Sequence, residues 1–259
     1  MLPRVALVRA PNPGPMTLEG TNSWVVGDAG GAVVIDPGPA DADHVGRLVE
    51  GRRLLAVVLT HRHADHSHAL PLLEETLPVF SADPLLARRS TALRGGERLR
   101  LQDVELEIIA TPGHTDDSVC ALLHGGDGGL LFTGDTLLGG RTGGFVSRQT
   151  GSLEQLLASL ERLSAYVGVP GLPGHGETID DVGVRAAGAL AHRRERLDRL
   201  DRLLREDPAA DLAALVRARH PGSPERQAHA RWMLRTELEY LDAHGRLDPR
   251  FLRPGLTAS

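Results

Sequence analysis

Read for hydrophobic period alone, the first two thirds of the chain is a series of short apolar runs separated by polar, glycine-rich breaks. SWVVG at 23–27, AVVID at 32–36, LLAVVLT at 54–60 and VCALLH at 119–124 are short apolar runs with β-branched residues, and they predict strands. Between Leu99 and Ile108 the alternation changes register across a polar pair, which predicts a hairpin turning at Gln102 and Asp103. Helical spacing appears at Ser152, where Leu153, Leu156, Leu157, Leu160 and Leu163 line one face behind a Ser N-cap. A longer helical pattern runs from about Val184 to Arg205 and stops at Asp207–Pro208. Leu212, Leu215 and Val216, then Trp232 to Leu241, predict two further helices. This change of pattern divides the chain into a body, 1–184, and a helical tail, 185–259.

Charge follows the same division. Residues 1–191 carry 15 Arg against 23 acids, a balance of −8, whereas 192–259 carry 14 Arg against 11 acids, a balance of +3. A mildly basic tail on an acidic body suits solvated helix faces better than a nucleic-acid surface. With 41% hydrophobic residues, 30 Gly and 17 Pro, the chain reads as globular and loop-rich. The longest apolar run, Leu54 to Leu59, is far too short for a bilayer span, and the first residues lack a signal-peptide core, so a cytoplasmic protein with no membrane partner is expected.

A single cysteine, Cys120, excludes an internal disulfide and any multi-cysteine metal site, so a metal would be held by His and carboxylate. All basic residues are Arg, which leaves Schiff-base and phosphate-loop lysine chemistry without a candidate.

The chemistry concentrates in THRHADH at 60–66, directly after the strand LLAVVL. His61, His63, Asp65 and His66 are four potential ligands in six positions, a donor set that suits zinc and other borderline metals. One ion cannot easily take all four, and alternate side chains in a tight loop favour two ions side by side. Three more candidates sit beside glycines at the ends of predicted strands: His114 in PGHT, Asp135 in GDT and His175 in PGHG.

THRHADH, PGHT, GDT and PGHG, in this order, resemble the metallo-β-lactamase-fold hydrolases over roughly residues 1–180. The resemblance implies an α/β (α+β) fold, a four-layer αββα sandwich of two mixed sheets with helices outside. It implies that His61, His63 and His114 bind one metal, that Asp65, His66 and His175 bind the other, and that Asp135 bridges them. A carboxylate has two oxygens to share between ions, whereas a neutral imidazole has one free nitrogen, which agrees with that allotment. Familiar β-lactamases of the fold carry Cys where this chain has Asp135, so antibiotic hydrolysis is not expected. NPGPMTLEGTN at 12–22, HRRER at 192–196 and the closing EYLDAHGRL resemble the subgroup around mitochondrial β-lactamase-like protein 2. That subgroup adds a small winged-helix-like C-terminal domain and includes a single-strand-specific endoribonuclease.

The expectation is therefore hydrolysis by a metal-bridging hydroxide held between two zinc ions per chain, with Asp65 and Asp135 as the catalytic carboxylates. Two substrates compete, a small-molecule ester or thioester and single-stranded RNA. The acidic body and only eight aromatic residues favour the small molecule. Iron-dependent redox chemistry would typically trade a His of the first run for Glu, and a non-catalytic binding protein would have lost ligands; neither change is present. Asn22, Arg141, Thr142 and Phe145 are weaker candidates for contacting substrate, and the tail could instead form a homodimer or a lid. If RNA is the substrate, truncation at residue 191 is expected to abolish its cleavage yet spare hydrolysis of a small activated ester, because all seven ligands precede the cut; if a small molecule is, truncation is expected to shift substrate preference or oligomeric state instead.

Overall fold

The computed structural model describes residues 3–125, 128–140, 144–206 and 224–247. One sheet is built from β1 (Val5–Arg9), β2 (Asn22–Asp28), β3 (Gly31–Ile35), β4 (Leu54–Val58) and β5 (Val79–Phe80), in that spatial order. β1, β2 and β3 pair antiparallel, and β3, β4 and β5 run parallel. The second sheet has the order β10 (Gly171–Pro173), β9 (Leu130–Gly134), β8 (Val119–Leu123), β7 (Val104–Ala110), β6 (Arg98–Leu101), and only its β10–β9 pair is parallel. The hairpin between β6 and β7 turns at Gln102 and Asp103, with Leu101 opposite Val104 and Gln102 in the left-handed region.

The central strands have apolar residues on both faces because each sheet is covered twice. Val26, Val33, Ile35 and Val58 meet Leu106, Ile108, Ala121, Leu123 and Phe132 between the sheets. Their neighbours Val25, Val34 and Val57 face outward, under Val45 and Leu48 of α1 (Ala42–Val49). On the other side Ile109, Cys120 and Leu131 face α3 (Leu153–Leu163), α4 (Val182–Glu206) and α5 (Pro224–Ala243). The result is the four-layer arrangement expected, with the short α2 (Ala64–Ser67) inside the THRHADH stretch.

Ser152 caps α3 by accepting a hydrogen bond from Gln155 N, and the leucine stripe behind it is buried. Cys120 is buried in β8, and burial pushes its thiol up to about 12, which removes it as a nucleophile. α4 begins at Val182 and continues without interruption through residue 184, and its buried Leu190, Leu197, Leu200 and Leu204 join the same apolar cluster as β9, α3 and α5. Among the described residues the tail contributes helices only; Leu212, Leu215 and Val216 lie outside them. No helix among the described residues is long and apolar enough to cross a membrane.

Candidate metal centre

Five chain segments arrive at one edge of the two sheets, each just past the carboxyl end of a strand: residue 36 after β3, 61–66 after β4, 114 after β7, 135 after β9 and 175 after β10. Strand ends collect side chains there because the backbone leaves the sheet and must turn. All seven ligand candidates converge. His63 Nδ1 lies 3.0 Å from both His61 Nε2 and His114 Nε2. His66 Nε2 lies 3.2 Å from His175 Nε2, and the Oδ2 of Asp65 is 3.3 Å and 3.2 Å from these two nitrogens. Asp135 stands between the groups: Oδ1 is 3.6 Å from His66 Nε2 and 3.5 Å from His175 Nε2, while Oδ2 is 3.6 Å from His114 Nε2.

The outer nitrogens of the imidazoles fix which inner nitrogen carries a lone pair. His114 Nδ1 donates to the Phe145 carbonyl at 2.6 Å, His175 Nδ1 to the Gly20 carbonyl at 3.3 Å, and His66 Nδ1 to Asp36 Oδ2 at 2.8 Å. His63 Nε2 faces Ser147 Oγ at 3.3 Å, and His61 Nδ1 faces Thr60 Oγ1 at 3.1 Å. Thr60 Oγ1 in turn donates to Asp36 Oδ2 at 2.6 Å, so the threonine oxygen accepts from His61. In the three-histidine half this leaves lone pairs on His61 Nε2 and His114 Nε2, both directed at His63 Nδ1, a crowding of donor atoms that suits a cation. Asp135 Oδ1 is buried with no hydrogen-bond partner, which is a second sign that this donor set fits metal. The geometry offers three overlapping groups: His61, His63 and His114; His61, His66 and Asp135; Asp65, His66 and His175.

The two ends of the site differ in charge. Burial and the neighbouring histidines lower the pKa of His61 well below 6.5 and that of His63 to about 4. Burial also opposes charge on His66, but Asp65, Asp36 and Asp135 outweigh it and raise its pKa well above 6.5. His175 is raised in the same way, chiefly by Asp135 and Asp65 against burial. Asp65 resists burial because His66 and His175 hold its carboxyl far below the usual carboxylate range. One half is thus a neutral imidazole cage and the other a carboxylate-bearing one.

Asp36 is the residue that sequence reasoning missed. Its two oxygens accept from Thr60 N at 2.7 Å, Thr60 Oγ1 and His66 Nδ1, so one buried carboxylate orients histidines of both halves. The available signal was its place in AVVIDPG, an acid at a strand end beside Pro-Gly, the same context as the other ligands. Asp36→Asn is expected to weaken metal binding by about 10- to 100-fold with little change in fold, read by competition with a chelator. Wild-type affinity would show that the histidines need no such anchor.

Among the weaker candidates, Asn22 is buried, donates to the Pro173 and Gly176 carbonyls at 3.1 and 2.8 Å, and accepts from Arg9 Nε, so it ties the His175 loop to β2. Phe145 reaches the site through its backbone carbonyl. Arg141 and Thr142 lie outside the described residues. His44 is buried against Ser23 Oγ at 2.9 Å, His68 is exposed at the end of α2, and His124 pairs with Glu107 at 2.9 Å; none touches the centre.

Two glycines make the convergence possible. Gly134 has a φ of +48°, and a Cβ there would lie 2.6 Å from the Thr60 side chain. A Cβ on Gly174 would lie 2.6 Å from Asp135 Oδ1 and 2.7 Å from His66 Cε1. Gly174→Ala is therefore expected to displace one of those two ligands and cut metal occupancy by at least half while the protein still melts cooperatively. Full occupancy in that variant would mean the cluster is looser than these distances indicate.

Comparison with known proteins agrees with this geometry. A 209-residue stretch is 32% identical to the atrochrysone carboxyl ACP thioesterase dmxR1 of Cryptosporiopsis sp., covering 75% of this chain and 61% of that one, so the chain spans about three fifths of that relative's length. The metallo-β-lactamase family protein TTHA1429 of Thermus thermophilus has the same fold, with a TM-score of 0.71 over 93% of this chain and 94% of that one at 24% identity. TTHA1623, solved in a di-iron-bound form, superposes with a TM-score of 0.53 over 70% of this chain and 96% of its own, at 27% identity. The model of the metallo-β-lactamase superfamily matches residues 16–79 and 84–175, a span that contains all seven converging side chains, and the chain belongs to that superfamily.

Proposed function

We propose that this metal-dependent hydrolase holds two zinc ions per chain and cleaves the thioester or ester of a small acyl group. The observation that carries the reading is the position of Asp135, whose two oxygens face the two histidine groups separately. His61, His63 and His114 would hold one ion, Asp65, His66 and His175 the other. Ions held there supply Lewis acidity, lowering the pKa of a water toward neutrality and polarising the acyl oxygen it attacks.

The chain's own residues do the rest. Asp65 is partly open to solvent and is fixed by Thr21 Oγ1, which donates to its Oδ2 at 3.0 Å. Asn12 Nδ2 donates to that threonine oxygen at 3.0 Å, so the loop 12–22 aims the carboxylate. Held as the anion at rest, Asp65 would accept a hydrogen bond from the attacking water, take its proton as the new C–O bond forms, and give it to the leaving sulfur or oxygen as the C–S or C–O bond breaks. The buried Cys120 takes no part.

A thioester substrate is supported by the relative's name. It is supported also by five of the tail's described arginines, which pair with acids of the tail itself: Arg196 with Glu237, Arg199 with Glu195, Arg205 with Asp201, Arg235 with Glu239, and Arg246 with Asp198 and Asp201. An acid beside each guanidinium weakens the field that the tail would present to a phosphate backbone. Protein purified without chelator should contain about two zinc ions per chain and hydrolyse an acyl thioester. Iron in place of zinc would overturn the metal assignment, and cleavage of labelled single-stranded RNA without thioester turnover would overturn the substrate.

A further inference from the structure

The segment 144–147, which follows Asp135 at a short distance in sequence, belongs to no helix or strand and alternates its polar groups between the metal centre and the tail helices. Facing inward, the Phe145 carbonyl accepts from His114 Nδ1, Ser147 N donates to the His114 carbonyl at 2.9 Å, and Ser147 Oγ meets His63 Nε2. Facing outward, the Gly144 carbonyl accepts from Arg193 of α4 and the Val146 carbonyl accepts from Trp232 Nε1 of α5 at 2.9 Å. Gly144 leaves no slack, since a Cβ there would meet the Asp135 carbonyl. The Val146 side chain is buried in the same cluster as Leu190, Leu197 and Leu234.

We propose that Arg193 and Trp232 are positioning residues, which hold this strap from the tail so that it orients His114 and His63 and thereby sets the metal affinity of the three-histidine half. The proposal rests on the two-metal reading. An imidazole whose outer N–H is anchored keeps one tautomer and one ring orientation, and a carbonyl can anchor it only if the carbonyl is itself fixed. Burial lowers Arg193 to about 10, so it remains cationic at neutral pH, a strong donor to a neutral carbonyl. The tail helices thus act on the site without touching it, and only on the half that the strap contacts: His66 is anchored by Asp36 and His175 by Gly20, at the opposite side.

The test uses full-length protein with Trp232→Phe, which deletes one N–H and keeps a ring, Arg193→Met, which keeps length and removes the donors, and Arg199→Met, which breaks only an exposed pair with Glu195. Chelator competition should show one of two zinc dissociation constants rising about tenfold in the first two variants, the other staying within twofold, and neither moving in Arg199→Met. In the metal-free chain the 15N shifts of the His114 ring should show loss of the single Nδ1–H tautomer in the same two variants. Unchanged constants and unchanged ring shifts in cooperatively melting variants would overturn the proposal, as would equal weakening of both ions. A wild-type chain that binds fewer than two ions defeats the two-metal reading instead, and the ring shifts alone then decide the role of the strap. Should neither variant fold, wild-type protein still decides: by reciprocity, exchange of the Trp232 indole N–H must slow on zinc loading, and an unchanged rate would overturn the coupling.

Discussion

Replacing Asp135 by Ala is expected to lower turnover at least about a thousandfold, roughly 4 kcal/mol of transition-state stabilisation, while a cooperative melt persists. The size follows from position. Among the described residues, Asp135 alone sends one oxygen toward His66 and His175 and the other toward His114. With the carboxylate gone, each half keeps its imidazoles but nothing fixes the separation between them, and the in-line geometry that two ions give depends on that separation. The fold should survive, because Asp135 Oδ1 makes no hydrogen bond and the surrounding backbone is held by β9, β10 and the strap instead. Asp135→Asn is the informative companion: it keeps the shape and one oxygen, so it should retain one ion more readily than Ala does. Activity within tenfold of wild type in Asp135→Ala would mean that the carboxylate spans nothing.

Much of this was legible because strands covered on both faces read as unbroken apolar runs, and because the ligands come in a short, dense motif. The paired valines 25–26, 33–34 and 57–58 split between two cores, which is why period two gave way to continuous hydrophobicity. β1 and β5 were not legible: β1 is an edge strand, half-exposed, and β5 is two residues long. Asp36 was hidden for another reason. It is one of 34 acids, and its role arises only because β3 and β4 are parallel neighbours, which brings their carboxyl ends, and hence Asp36 and Thr60, side by side. Asn22 opens β2 and Phe145 lies in the irregular segment before α3, and sequence could not distinguish contact with substrate from the backbone hydrogen bonds that the structure shows. The His63–Ser147 and Trp232–Val146 contacts join residues 84 and 86 positions apart, with no periodic signal to connect them.

Truncation at residue 191 is the second large effect, because the tail leucines are core and a cut there is expected to cost the fold on which any small-ester activity depends. The cut removes Leu197, Leu200, Leu204, Leu234, Leu238 and Leu241, all buried in the cluster that contains Leu153, Leu157 and Leu160 of α3 and Leu131 of β9. Each large side chain left uncovered forfeits about 1.5–3 kcal/mol, so three or four of them approach the whole stability of a domain, about 5–15 kcal/mol. The cut also removes Arg193 and Trp232, releasing the strap that anchors His114. The truncated chain should therefore show no cooperative melt and retain neither metal nor ester hydrolysis, so it cannot isolate a role of the tail in RNA binding. That role is better probed in the intact chain by replacing Arg199 and Arg235, whose partners Glu195 and Glu239 are exposed on the same helices. If RNA were bound there, removing one arginine–phosphate pair would flatten the salt dependence of binding by about one unit of log–log slope. A chain cut at 191 that melts cooperatively and keeps two ions would show instead that the body carries its own core and that the tail only rests on it.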